Sequence, residues 1–248
     1  MRPSRISAAV PAALLTAVFS AAGCGDGTSD EPNSSGAEST APTLAEMPDP
    51  ASFTTVIDNP HMPLVPGTVY TFEGGGETIT VETTSKTREV MGVETVVVHD
   101  VVSESGEVTE DTYDYYAQDA DGNVWYFGED SSEMSGGKVT TTKGSWEAGV
   151  DGARPGIVME ADPQVGDYYY QENYPGHAED TGKVLALDEQ VDVPYGSFDH
   201  VLKTEDVNPL DNSGAEHKFY VEGIGVVLET GAKDSDARVE LTGVEQSK

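Results

Sequence analysis

The sequence predicts an all-β fold, an antiparallel curved sheet or barrel-like sandwich, preceded by a signal peptide and a flexible linker. Three observations predict it. Apolar and polar residues alternate in short runs, and convincing helical periodicity is missing. The connections between runs are short and polar, which suits antiparallel pairing, because parallel crossovers need a dozen or more residues.

The runs follow one another in order. Asp49-Pro50 opens the domain with a single helical turn near Phe53. Residues 68–73 (TVYTFE) alternate, then the Gly74-Gly75-Gly76 turn leads into 77–84, where Ile79 and Val81 share one face. Residues 94–102 are rich in valine and read as a central strand. Segments 109–117 and 123–128 flank Asp119-Ala120-Asp121-Gly122, a tight turn of the type that joins antiparallel strands. Further strands are expected at 138–142, 156–160, 167–172, 182–188, 190–194, 198–205, 216–222, 225–230 and 238–243. One domain over residues 50–248 accounts for them all, with no clear internal repeat.

Ahead of this domain the composition changes twice. Residues 1–23 read as a lipoprotein signal peptide: Arg2 and Arg5, then an uncharged stretch from Ile6 to Ala22 ending in small residues. Ala21-Ala22-Gly23-Cys24 resembles a lipobox, in which cleavage between Gly23 and Cys24 leaves an acylated cysteine as the new N-terminus. Each buried methylene of an acyl chain contributes about 0.8 kcal/mol, so one chain binds a bilayer reversibly and two or three hold firmly. Ordinary secretion would leave Cys24, the chain's only cysteine, as an exposed reactive thiol without purpose. A permanent span needs about 20 apolar residues, whereas this stretch is short, alanine-rich and interrupted by Pro11. Residues 24–49 then read as an acidic Ser/Thr/Pro/Gly linker. Its core, GDGTSDEPNSSGAESTAPTLA, has too few apolar residues to fold. Some 20 such residues reach on the order of 25 Å.

Charge excludes one class of partner. The 248 residues include 45 acidic and 13 basic side chains, a formal charge of −32. Such a surface repels phosphate backbones, so nucleic acid is not expected as a partner. The acids alternate with apolar residues rather than forming a block, and a solvated surface is expected for them. With no second cysteine there is no intrachain disulfide, and stability must come from an ordinary core.

No catalytic motif emerges. Asp119, Asp121 and Asn123 begin like a calcium loop, but the twelfth position is Asp130 instead of a bidentate Glu, and Val124, Tyr126 and Phe127 pattern as strand. Histidines 61, 99, 177, 200 and 217 form no His-Glu-x-x-His and no i, i+4 pair, so no metal or cofactor is expected. His99-Asp100 and Glu216-His217 are neighbours in strands and point to opposite faces. Gly144-Ser145-Trp146 lacks the second glycine of a nucleophile elbow. A paired-carboxylate hydrolase is the alternative reading, although so many acids make any one pair uninformative. Aromatics concentrate in the central third, from Tyr113 to Tyr174. Tyrosine and tryptophan suit half-wet pockets. Tyr115, Trp125 and Tyr169 are the candidate ligand contacts, for a lipid, a glycan or a peptide strand, against the alternative that such rings fill the β core and its rim.

Several stretches resemble an uncharacterised family of exported bacterial lipoproteins with a single β-rich domain. They are residues 59–70 (NPHMPLVPGTVY), 111–128, 193–198 (VPYGSF) and 216–227 (EHKFYVEGIGVV). The matching positions are mostly Gly, Pro and aromatics, which set turns and fill cores. The resemblance implies an exported β-domain and no catalytic residue. The reading is a non-enzymatic binding or scaffold module, held by Cys24 acyl chains on the extracytoplasmic face of a cell membrane.

Overall fold

Among the described residues, fifteen strands form one antiparallel sheet that curls into a nearly closed barrel. A computed structural model of the chain describes residues 41–210, 214–232 and 237–246. The stretch read as a signal peptide, the Cys24 expected to be acylated, and residues 25–40 of the expected linker lie outside the described residues. In chain order the strands are β1 (Thr68–Gly74), β2 (Glu77–Val90), β3 (Val93–Glu104), β4 (Glu107–Gln118), β5 (Val124–Ser135), β6 (Lys138–Thr141), β7 (Trp146–Glu147) and β8 (Arg154–Met159). They continue with β9 (Tyr168–Tyr170), β10 (Glu172–Asn173), β11 (Thr181–Val193), β12 (Gly196–Val207), β13 (Glu216–Val221), β14 (Gly225–Gly231) and β15 (Arg238–Gln246). The spatial order is β10-β8-β5-β4-β3-β2-β1-β15-β14-β13-β12-β11-β9, with β6 and β7 also on the outer edge of β5.

The local chemistry explains why neighbours in sequence are neighbours in space. Four hairpins turn on two consecutive residues with positive φ: Gly75-Gly76, Met91-Gly92, Ser105-Gly106 and Gly136-Gly137. That geometry matches the right-handed twist of the strands it joins. Several expected strands extend further than their alternation suggested, most of all β2, which runs to Val90, and β5, which runs to Ser135. Segments 182–188 and 190–194 are one strand, β11, whose pairing with β12 shifts register at three places. Those bulges interrupt the period of two and split the strand in the sequence. The two-residue β7 was too short to show any period.

The ordered body begins before Pro50. Thr43 donates its N–H to the Tyr168 carbonyl at 2.8 Å and accepts from the Tyr170 N–H at 3.1 Å. Glu46 lies 3.3 Å from Arg154. Residues 41–49, read above as linker, therefore lie on the domain. The expected turn is a 3₁₀ turn at Pro50–Ser52, capped by Asp49, whose side chain accepts from the Ala51 N–H.

The segment from Phe53 to Pro66 then crosses the outer face of β4 and β5. Phe53 packs edge-on against Trp125 and Phe127. Gln118 accepts the N–H groups of Asp58 and Asn59, and Asn59 donates to the carbonyls of Gly122 and Glu160. These bonds carry the segment to the end of the barrel at the β13–β14 turn, where the Gly223 N–H donates to the Pro60 carbonyl at 2.7 Å.

The barrel's edges meet between β9 and β8. Gly156 of β8 must be glycine there, because a Cβ would stand 2.4 Å from the Tyr170 carbonyl oxygen and 2.5 Å from that of Gln171. Thr43 on β9 and Glu46 on Arg154 of β8 strap the two edges from outside.

Candidate functional site

Two features of the barrel interior stand out, an apolar pocket at one end and a layer of buried acids deeper in. The pocket has a volume of about 50 Å³. Met62, Pro63 and Leu64 of the crossing segment cap it, Phe72 and Val81 form one wall, and Tyr220, Ile224 and Val226 form the other. One water needs roughly 10–15 Å³ on the same measure, so the space suits a short branched aliphatic group rather than a whole lipid.

Strand register carries the wall of the pocket into the acid layer. Val81 of β2 lies opposite Asp100 of β3, which lies opposite Thr112 of β4, itself opposite Ser131 of β5. The next row holds Val98, Asp114 and Glu129. On the far wall Glu229 lies opposite Lys218, and Lys218 opposite Thr204. Asp100, Asp114, Glu129, Glu172, Asp206, Glu229 and Lys218 are each 8% exposed or less. The expectation that the acids form a solvated surface is thus corrected at these six acids and at Asp119, which is 4% exposed. Asp100 takes an apolar slot, in phase with Val96, Val98 and Val102, and that parity was the available signal.

The far wall is the better balanced side. Lys218 Nζ lies 3.0 Å from Asp206, which also accepts from the Thr204 hydroxyl at 2.7 Å and the Gln171 amide at 3.3 Å. Burial alone would lower the Lys218 pKa, but Asp206 and Glu229 outweigh it and hold the ammonium charged. Glu229 itself has no hydrogen-bond partner on either oxygen.

Among the described residues, Asp100, Asp114 and Glu129 on the near wall have no cation in hydrogen-bond contact. The Tyr126 hydroxyl lies 2.6 Å from Asp114 Oδ1 and 3.1 Å from Glu129 Oε2. A phenol has one proton to give, so two ionised carboxylates cannot both be satisfied there. One carboxyl must be protonated and donate to the phenol oxygen. Burial pushes the Asp114 carboxyl up to about 8, against the opposing Tyr126 hydrogen bond and with the help of Glu110. Burial, then Glu172 and Asp114, push Glu129 well above the usual carboxylate range. Asp100 is raised the same way by burial and then by Asp114, and neither of its oxygens has a partner. Tyr116 stacks on Tyr126 with ring centroids 4.8 Å apart, and its buried hydroxyl is also unpartnered.

The three aromatic candidates do not share one surface. Trp125 lies under Phe53 on the outer face, its indole N–H donating to Asp119 at 2.7 Å. Tyr115 is also outward, covered by the Arg88 guanidinium, which in turn bonds Glu147. Tyr169 alone turns inward, opposite Gly182, where a Cβ would meet both its ring and the Gln171 amide. Two outward side chains and one inward one result from a strand's period of two, which residue type does not reveal.

The remaining sequence candidates are occupied locally. Asp119 accepts four hydrogen bonds, from the Asp121 and Asn123 N–H groups, the Asn123 amide and the Trp125 indole, which is turn chemistry. His99 turns away from Asp100, stacks on Tyr113 at 4.3 Å and bonds Asp111. His200 bonds Asp188, His217 lies 3.7 Å from Glu205, and His177 stacks on Tyr174. Among the described residues no three His, Cys, Asp or Glu side chains are placed to hold a metal ion.

No protein-family model matches the chain, and no curated protein matches it. Among solved structures it is similar to that of a "putative lipoprotein" from Parabacteroides distasonis. The likeness has 12% identity and a TM-score of 0.39, over 74% of this chain and 97% of that one. A likeness so loose carries no argument from one protein to the other.

Proposed function

We propose that this is a membrane-anchored extracytoplasmic lipoprotein whose barrel is a non-enzymatic binding module. The apolar pocket under Met62, Pro63 and Leu64 carries the binding part of the reading. Its lining favours the aliphatic end of a lipid or a peptide side chain over a sugar, because burying polar hydroxyls there without partners is costly. The order of Arg2, Arg5, the uncharged stretch and Cys24 supports the anchor.

Two measurements test the two parts. Labelled palmitate enters the wild-type chain and fails to enter Cys24→Ala; equal labelling of both removes the anchor. Native mass spectrometry of the full chain, released from membranes in mild detergent, shows a retained mass that Leu64→Trp reduces by filling the pocket. An empty pocket in wild type, unresponsive to short alkanols, leaves a scaffold. The hydrolase alternative needs two carboxyls facing each other across a cleft; Asp114 and Glu129, at 1% and 2% exposed, share a phenol instead.

A further inference from the structure

The edge where the barrel closes is built from its shortest pieces. β9 has three residues and β10 two, and only Gln171 separates them. β9 continues the β11 side of the sheet and β10 the β8 side, so Gln171 joins the two ends of the strand order. The N–H groups of Gln171 and Glu172 both donate to one carbonyl, that of Asp180, at 2.8 and 3.1 Å. On the outside the Thr43 bonds and the Glu46–Arg154 ion pair reinforce it.

Into this weak seam the chain places Glu172, fully buried. Its Oε1 receives a long hydrogen bond of 3.3 Å from the Trp146 indole on β7, and its Oε2 has no partner. The charged and titratable groups that face it come from every surrounding element. They are Asp114 and Tyr116 on β4, Glu129 and Tyr126 on β5, Asp180 ahead of β11, and Lys218 on β13. Arg154, on the paired strand β8, reaches outward to Glu46 instead. Lys218, the cation that faces Glu172 among the described residues, is engaged with Asp206.

We propose that this seam is a proton-gated closure: Glu172 is protonated in the closed barrel, and loss of that proton parts β9 and β10 from β8. An ionised Glu172 would face two or more carboxyls with one indole N–H to stabilise it. Buried like charges are relieved by moving apart, and the short, sparsely bonded strands are the part that moves at least cost. Parting the seam frees β8, whose Val158 lines the apolar pocket. The closure therefore governs access to the interior, and it stands on the seam's own geometry whether or not the pocket takes a ligand.

Hydrogen–deuterium exchange of the full chain in mild detergent tests it without any ligand. Peptides covering 168–173, corrected for intrinsic exchange, are expected to lose at least tenfold in protection between pH 6 and pH 9. Peptides covering β2 and β3 keep theirs over the same range. In Glu172→Gln the seam stays protected at both pH values. Equal protection of the wild-type seam at both pH values overturns the proposal. So does loss of protection in step with β2 and β3, which is global unfolding, or the same loss in Glu172→Gln. If that variant does not fold, the wild-type ratio of seam to hairpin decides alone.

Discussion

The Tyr126 hydroxyl sits 2.6 Å from Asp114 and 3.1 Å from Glu129, and among the described residues no cation is in hydrogen-bond contact with either carboxyl. One phenol proton cannot serve two carboxylates, so one carboxyl keeps its own proton, and the consequence is thermodynamic. The Asp114 pKa is about 8 in the folded chain, against an ordinary value of 3.8. Between those values the folded state binds the proton and the unfolded state does not, so stability falls as pH rises. It is fully present below about 4 and lost progressively up to about 8. Asp100, Glu129, Glu172 and Glu229 shift in the same direction. Each retained proton steepens the slope by about 1.4 kcal/mol per pH unit. Urea midpoints read by tryptophan fluorescence should fall steadily from pH 5 to pH 8. A midpoint that is flat or rises over this range contradicts protonated interior carboxyls.

Removing the shared phenol isolates its contribution. Tyr126→Phe leaves the ring stacked on Tyr116 but takes the hydroxyl from both Asp114 and Glu129. A loss of about 1–3 kcal/mol is expected, the cost of leaving buried polar groups unsatisfied. Urea denaturation at pH 6 measures it, and a neutral substitution would mean that neither contact matters.

On the opposite wall the expected effect is larger. Lys218→Met leaves Asp206 buried without its ammonium, which typically costs about 3–5 kcal/mol. Pairing it with Asp206→Asn removes the orphaned charge. The double variant should be more stable than Lys218→Met alone, and a double-mutant cycle reports the coupling. Additive losses would show that the two side chains act independently.

The seam makes a steric prediction. Gly156→Ala would drive a methyl into the carbonyl oxygens of Tyr170 and Gln171, at 2.4 and 2.5 Å. Neither atom is the end of a flexible side chain, so the backbone of β8 or β9 must move. Limited proteolysis should cut the variant within residues 160–180 well before wild type. Equal resistance would show that the edges do not depend on this approach.

Much of the fold was legible in the residues. Ile79 and Val81 announced the inner face of β2, and Asn123 to Gly128 lay within a residue of the start of β5. What failed did so for local reasons. Bulges hid the continuity of β11, and Thr43 gave no sign that it would pair with β9, because a single bridge leaves no periodic trace. The interior acids were the greater miss. In β4 the run Asp111-Thr112-Tyr113-Asp114-Tyr115-Tyr116 has polar and aromatic residues at both parities, so nothing in it tells inside from outside. Only its pairing, Asp114 against Val98, settles that Asp114 faces the core. Trp125 and Tyr115 fall on the opposite face from Tyr169 for the matching reason, since an aromatic ring suits either face.

Thr43 and Glu46 clip the two free edges together from the N-terminal side of the body. A load drawn along the polypeptide from that side reaches these clips before any hairpin. Two backbone hydrogen bonds and one exposed ion pair resist it, while the long ladders of β2, β3 and β4 lie behind. The barrel's fastening of fewest bonds thus faces its N-terminal side, and a pull there unbuttons the barrel instead of unravelling it.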